Sequence, residues 1–199
     1  REDPYACVIG ACNIDIQGVP AHNVSLRNSN IGQVKMSLGG VGRNIAENLT
    51  RLGVQTKLIS AVGDDFYGKK ILEEASKIGL DMNDTCVVNG AATSTYLSIL
   101  DENRDMYMAI SHMDIYEHMT LSFIKSKSHI IEHSGICVLD ANLPTEIISY
   151  ILEAYKEKDF FLDTVSIEKA LKLKPYLGHF HTIKPNKVEA EAITGIQIQ

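Results

Sequence analysis

Short apolar runs of strand type alternate with segments of helical periodicity along most of the chain. That alternation most constrains the fold. "YACVIGACN" (5–13), "TKLISAV" (56–62), "ICVLDA" (136–141), "DFFLDTV" (159–165) and "FHTIKP" (180–185) read as strands. Between them, "GRNIAENLTRLG" (42–53) sets Ile45, Leu49 and Leu52 at helical spacing, and "FYGKKILEEASKIG" (66–79) sets Ile71, Ala75 and Ile78 on one face. Gly53 and Gly79 stop these helices. Pro144 opens a helix to about Lys156, and "SIEKALKLK" (166–174) is helical. "NKVEAEAITG" (186–195) is a helix with Asn186 as N-cap, Glu189 at the capping-box position and Gly195 as stop. Buried strands separated by helices predict an α/β fold, a doubly wound, mainly parallel sheet flanked by helices.

Two stretches break the rhythm. Residues 14–37 alternate polar and apolar without a helix, and "TSTYLSILDENRDMYMAIS" (93–111) reads as a hairpin turning at Asp101–Arg104. Together they predict a small β-sheet lid over the carboxyl edge of the main sheet, where open α/β sheets bind ligands and a flap excludes water. The 199 residues fit one domain, 1–199, with the lid strands inserted, and ending just after a strand–helix unit implies that the molecule continues beyond Gln199.

The net charge of −6, with no basic block, argues against a nucleic-acid partner. No apolar run approaches membrane-spanning length, and no leader opens the chain. Cys7, Cys12, Cys86 and Cys137 form no CxxC pair and lie mostly in apolar runs, which suits buried thiols in a reducing cytoplasm.

The glycine stretch "LGGVGRNIAENLTRLG" (38–53) suggests a phosphate cradle, but Ile45 stands where the dinucleotide fingerprint needs a third small residue. Arg43-Asn44 stands where a P-loop needs Lys-Ser/Thr. Two readings remain. Either Gly39–Gly42 brings bare backbone against a ligand, with Arg43 and Asn44 projecting from the first helical turn, or this is a tight strand–helix turn. Asn13 and Asp15, two apart at a strand end, share a face and suit a polyhydroxyl ligand; an Asx turn is the alternative. Asp64 or Asp65 suits an N-cap. Asn186 and Glu189 form either a capping box or a phosphate and Mg²⁺-water site. His179 and His181 would share a strand face, but no third metal ligand is implied nearby. Neither a Gly-x-Ser-x-Gly nor an HExxH motif occurs.

Gly39-Gly40-x-Gly42-x-Asn44-x-Ala46, then Gly53 and Gly63, resembles the N-terminal signature of the ribokinase-like (PfkB) carbohydrate kinases. "NID" (13–15), "GDDFYG" (63–68) and "KPNKVEAEAITG" (184–195) are similar to that family's blocks, in the family's order. "DIYEHMT" (114–120), "LDANLP" (139–144) and "FLDTVSIEKA" (161–170) resemble its pseudouridine-phosphorylating group. The resemblance implies a ribokinase-like fold with ATP and Mg²⁺ as cofactors, a monovalent cation as a further candidate, and transfer of the γ-phosphoryl group to a sugar or nucleoside 5′-hydroxyl. Pseudouridine is the first choice of substrate. A ribose- or fructose-type sugar kinase and a non-catalytic nucleoside-binding module are the alternatives.

Carried over by motif, Asn13, Asp15, Gly39, Gly40, Arg43 and Asn44 would bind the sugar, with Asn142 closing the pocket. Lid residues including Tyr96 and His112 would cover the base. Asp163, Lys184, Asn186 and Glu189 would serve the nucleotide, Glu189 holding Mg²⁺ through water. The resemblance also implies a homodimer through the lid. The family's catalytic aspartate belongs to a GAGD-type segment after the "KPNxxE" block. No GAGD occurs in the chain, so the catalytic aspartate is expected C-terminal to Gln199 and these residues alone are expected to be inactive.

Overall fold

A computed structural model describes residues 4–198. β1 (Ala6–Ile9) leads into β2 (Asn13–Pro20), and β3 (Gly32–Gly39) runs into α1 (Val41–Arg51). β4 (Thr56–Ile59), β5 (Ala61–Gly63) and α2 (Phe66–Ile78) follow, then β6 (Cys86–Val88) and the hairpin β7 (Thr95–Leu100) and β8 (Met106–His112). A 3₁₀ turn at Asp114–His118 precedes α3 (Leu121–Ser126) and α4 (Ser128–His133). The chain then alternates: β9 (Ile136–Asp140), α5 (Thr145–Ala154), β10 (Phe160–Asp163), α6 (Ile167–Lys172), β11 (Thr182–Lys184) and α7 (Lys187–Thr194).

The main sheet has order β11-β10-β9-β1-β4, every pair parallel. Its strands β1, β4 and β9 are buried on both sides because alternate residues feed two cores, while β11 forms an exposed edge. Cys7, Ile9, Cys137 and Leu139 pack with Ile148 and Ile151 of α5. Val8, Leu58 and Val138 pack on the other side with Ala46 of α1 and Ile71 and Ala75 of α2. This is the expected doubly wound arrangement.

The lid is a four-stranded sheet of order β3-β2-β7-β8. It is rooted at the carboxyl end of β1, because β2 starts just after that strand and β3 returns into α1. The hairpin turns where expected. Asp101 Oδ1 accepts the amides of Asn103 at 2.8 Å and Asp105 at 2.9 Å, and Arg104 takes φ 67°. Val34 and Met36 of β3 and Met108 and Ile110 of β8 are exposed. Register places all four on one face.

Several boundaries differ from the periodicity. "TKLISAV" is two strands, because buried Ser60 donates to the Gly10 carbonyl at 2.6 Å and its own carbonyl accepts the Cys86 amide at 2.8 Å. β5 therefore leaves the main sheet and pairs with β6. The run 5–13 also divides, since the Ala11 amide bonds a side chain instead of a strand. α6 stops at Lys172 and a 3₁₀ turn containing Pro175 follows. His179 lies in that turn, so the expected strand pairing with His181 does not form. No described helix is long and apolar enough to cross a membrane.

Candidate active site

The site begins with where the parallel strands stop. Asp140, Asp163 and Lys184 are register partners at the carboxyl ends of β9, β10 and β11. Beside them β1 ends, and the chain passes through Gly10 and Ala11 into the lid.

Asp140 organises that edge. It is fully buried, and Oδ2 accepts the Gly42 amide at 2.7 Å and the Ala11 amide at 2.8 Å. Oδ1 accepts the Asn142 amide at 2.9 Å. Burial raises its pKa, while these amides pull it back. A Cβ on Gly10 would sit 2.3 Å from Asp140 Oδ2, and one on Gly42 would meet the Gly10 backbone at 2.8 Å. The glycine turn is thus shaped around a carboxylate of this chain, across which β1 and the start of α1 are tied together.

On the sugar side, Asn13 Oδ1 accepts from Ser94 Oγ and Tyr116 Oη, both at 2.8 Å. Asp15 lies two residues on along β2, on a register row with Ser37 and Tyr96. The space a Cβ of Gly39 would fill is taken by the Asp15 carboxylate, 2.0 Å from that position. Gly40 has φ 93° and lies against the Ala11 and Cys12 backbone, so a side chain is excluded there twice over. Burial raises the Asp15 pKa and the Arg43 guanidinium opposes the rise. Arg43 itself is buried: Nη2 pairs with Glu47 Oε2 at 2.6 Å and Nη1 donates to the Leu38 carbonyl at 3.4 Å. Among the described residues its buried Nε has no hydrogen-bond partner. Asp15, Gln17, Lys35, Ser37, Tyr96 and Ser98 line an open cavity of about 530 Å³ on this face of the lid.

Asn44 and His112 are the remaining expected sugar-side residues. Asn44 is exposed on the first turn of α1. His112 falls on the register row of Thr95, Ile14 and Leu38, the opposite face from Tyr96, and its Nε2 lies 3.8 Å from Asp114 Oδ2.

On the nucleotide side, Lys184 Nζ donates to Asp163 Oδ2 at 2.9 Å. Asn186 and Glu189 form the capping box: Glu189 N donates to Asn186 Oδ1 at 2.9 Å, and Asn186 N to Glu189 Oε2 at 3.0 Å. Glu189 is buried, and Thr164 Oγ1 donates to its Oε2 at 2.6 Å while Asn186 Nδ2 donates to Oε1 at 2.9 Å. Both carboxylate oxygens are already engaged. Among the described residues no group of three or more His, Cys, Asp or Glu could hold a metal ion. The residues present therefore suit an outer-sphere hold on Mg²⁺, not direct ligation.

The periodicity argument missed Asp140, Tyr116 and Lys169. Tyr116, in the 3₁₀ turn, shares its one hydroxyl proton between the Cys12 carbonyl at 2.6 Å and Asn13 Oδ1, and its oxygen accepts the Cys12 amide at 2.9 Å. Lys169 Nζ donates to Asn142 Oδ1. The available signals were the polar residues inside "DIYEHMT", "LDANLP" and "FLDTVSIEKA", segments that periodicity alone does not rank.

Residues 3–199 match the model of the pfkB family carbohydrate kinases. The chain is 38% identical over 198 residues to a pseudouridine kinase of Escherichia coli (strain K12), covering 100% of this chain and 63% of that protein. A crystal structure assigned as a sugar kinase from Clostridium perfringens superposes with TM-score 0.87 at 46% identity, covering 100% of this chain and 63% of the other. Arabidopsis thaliana ribokinase complexed with ribose and ATP shares the fold, with TM-score 0.76 at 20% identity over 98% of this chain and 64% of the other. The chain thus spans a little under two thirds of the length of these relatives. The chain belongs to the pfkB family of carbohydrate kinases.

Proposed function

We propose that the protein transfers the γ-phosphoryl group of ATP to the 5′-hydroxyl of a nucleoside, with pseudouridine as the first candidate. The observation that carries this reading is the Asn13–Asp15–Gly39 cradle, where a half-buried carboxylate occupies the space left by a missing side chain. Carboxylate and amide accept and donate to vicinal hydroxyls, and bare backbone at Gly39 and Gly40 lets a furanose approach closely. The likeness to a relative named pseudouridine kinase supports the choice of nucleoside.

Asn142, two residues beyond β9, would close the pocket from the carboxyl edge of the main sheet. Asp163, Lys184 and Asn186 would hold the phosphates of a bound nucleotide, and Glu189 would orient a water of a Mg²⁺ shell. ATP supplies the phosphoryl group, and this chain's residues bind and orient the acceptor beside it. We assign the base that takes the hydroxyl proton, and the amides that hold the γ-phosphate, to the part of the relatives' length that this chain does not span. The exposed apolar row Val34, Met36, Met108 and Ile110 suits pairing with a second copy through the lid.

The test is ATP turnover by the full-length protein over pseudouridine, uridine, ribose and fructose 6-phosphate. A kcat/KM for pseudouridine at least tenfold above the others is expected. Equal or better turnover of ribose or fructose 6-phosphate would assign a sugar kinase instead.

A further inference from the structure

A second cavity of about 350 Å³ opens where the lid strand β8 ends. It is lined by Met113 and Tyr116 on one side and by Asn142, Leu143, Lys169 and Lys172 on the other. Tyr116 joins it to the sugar side, because its hydroxyl also contacts Asn13 Oδ1. Asn13 of the proposed cradle therefore borders, through Tyr116, a residue that lines this space.

The polar groups here are set in series from the core outward. Buried Asp140 accepts the backbone amide of Asn142 at 2.9 Å, which fixes the start of that residue. The side-chain oxygen of Asn142 accepts from Lys169 Nζ. The ammonium of Lys169 is half-buried and pinned, with two N–H groups left over and no other hydrogen-bond partner among the described residues. The lining carries no surplus of positive charge: Asp114 and Glu117 stand against Lys169 and Lys172, and Lys172 is already paired with Glu168 at 2.9 Å. A partly apolar lining without surplus positive charge suits a neutral heterocycle better than a phosphate.

We propose that this cavity is a nucleobase subsite in which Lys169, held by the Asp140–Asn142 pair, donates to a ring carbonyl of a pyrimidine-type base. The assignment rests on the nucleoside-kinase reading above. It makes Lys169 a determinant of preference for nucleoside over free sugar.

The experiment compares the full-length wild type with Lys169→Met and Lys169→Arg over pseudouridine, with ribose tested as substrate and as competitive inhibitor. Losing a charged donor should raise KM for pseudouridine roughly 10- to 100-fold. The ribose KM or inhibition constant should stay within about twofold, and Lys169→Arg should recover part of the loss. Lys169→Gln, neutral but still a donor, serves if the methionine variant does not fold, and it should show a smaller rise confined to pseudouridine. An unchanged KM for pseudouridine, or an equal rise for pseudouridine and ribose, overturns the subsite while leaving the nucleoside reading intact. A wild type that takes ribose and no nucleoside overturns both.

Discussion

Asp140 and Gly42 are 98 residues apart, yet the carboxylate accepts the glycine amide at 2.7 Å inside the core. The same oxygen holds Ala11 at 2.8 Å, so one buried group joins β9, the end of β1 and the start of α1. Asp140→Ala would leave three amides without their acceptor. Unsatisfied buried donors cost about 1–3 kcal/mol each, so a loss of about 3 kcal/mol or more is expected in urea unfolding. Gly42→Ala should cost about 2 kcal/mol, because its Cβ meets backbone that cannot swing aside. A stability change under about 1 kcal/mol for Asp140→Ala would show that the ties are dispensable.

Gly39→Ala should behave differently. Its Cβ would meet the Asp15 carboxylate, the end of a flexible side chain, and Gly39 does not take a positive φ. Stability is expected within about 1 kcal/mol of wild type. Nucleoside affinity should fall roughly 10- to 100-fold, because the displaced carboxylate no longer meets the sugar. Calorimetric titration read beside a thermal melt separates the two effects.

The pocket carboxylate should depend on its buried neighbour. Burial raises the Asp15 pKa, and Arg43 pulls it back. With Arg43→Met the opposing charge is gone, so Asp15 should take its proton at higher pH. The acid limb of nucleoside affinity should then move toward neutrality. A profile of dissociation constant against pH checks this; an unmoved limb would mean that the two groups are not coupled.

Asp65 caps α2, with Oδ1 accepting the Gly68 amide at 2.8 Å and Thr93 Oγ1 at 2.6 Å. Burial raises its pKa, but the bonds from Thr93, Gly68 and Tyr67 outweigh this and leave it lowered. A lowered acid stabilises the fold above its unfolded pKa, and that contribution is lost as pH falls through the folded one. Asp65→Ala should cost about 1–2 kcal/mol at pH 7. The gap to wild type should narrow below the ordinary Asp pKa of 3.8. Urea midpoints at neutral and acid pH test the trend, and a gap that widens on acidification would contradict it.

Much of the fold was legible because its signals are local. Gly79 and Gly195 take left-handed φ at the helix ends, as their positions after periodic runs implied. Asn186 and Glu189 form their capping box because both partners lie within one helical turn. The division at Ser60 was not legible, since it depends on partners at Gly10 and Cys86 far along the chain. His112 shows the same limit. Its lid position was read correctly, but the face it presents follows from pairing with Thr95.

The sequence by itself determined the alternation of strands and helices, the two lid excursions and the family, because periodicity, caps and motif spacing are short-range properties. Tertiary structure alone decided that Asp140 fills the glycine turn, that Asp15 takes the place of a Gly39 side chain, and that Lys169 reaches Asn142. Each of these is a through-space contact between separate segments: the first and last form where parallel strands end at one edge, and Asp15 meets Gly39 across the antiparallel pair of β2 and β3. A buried carboxylate finds its amides only once the sheet has set that edge in register.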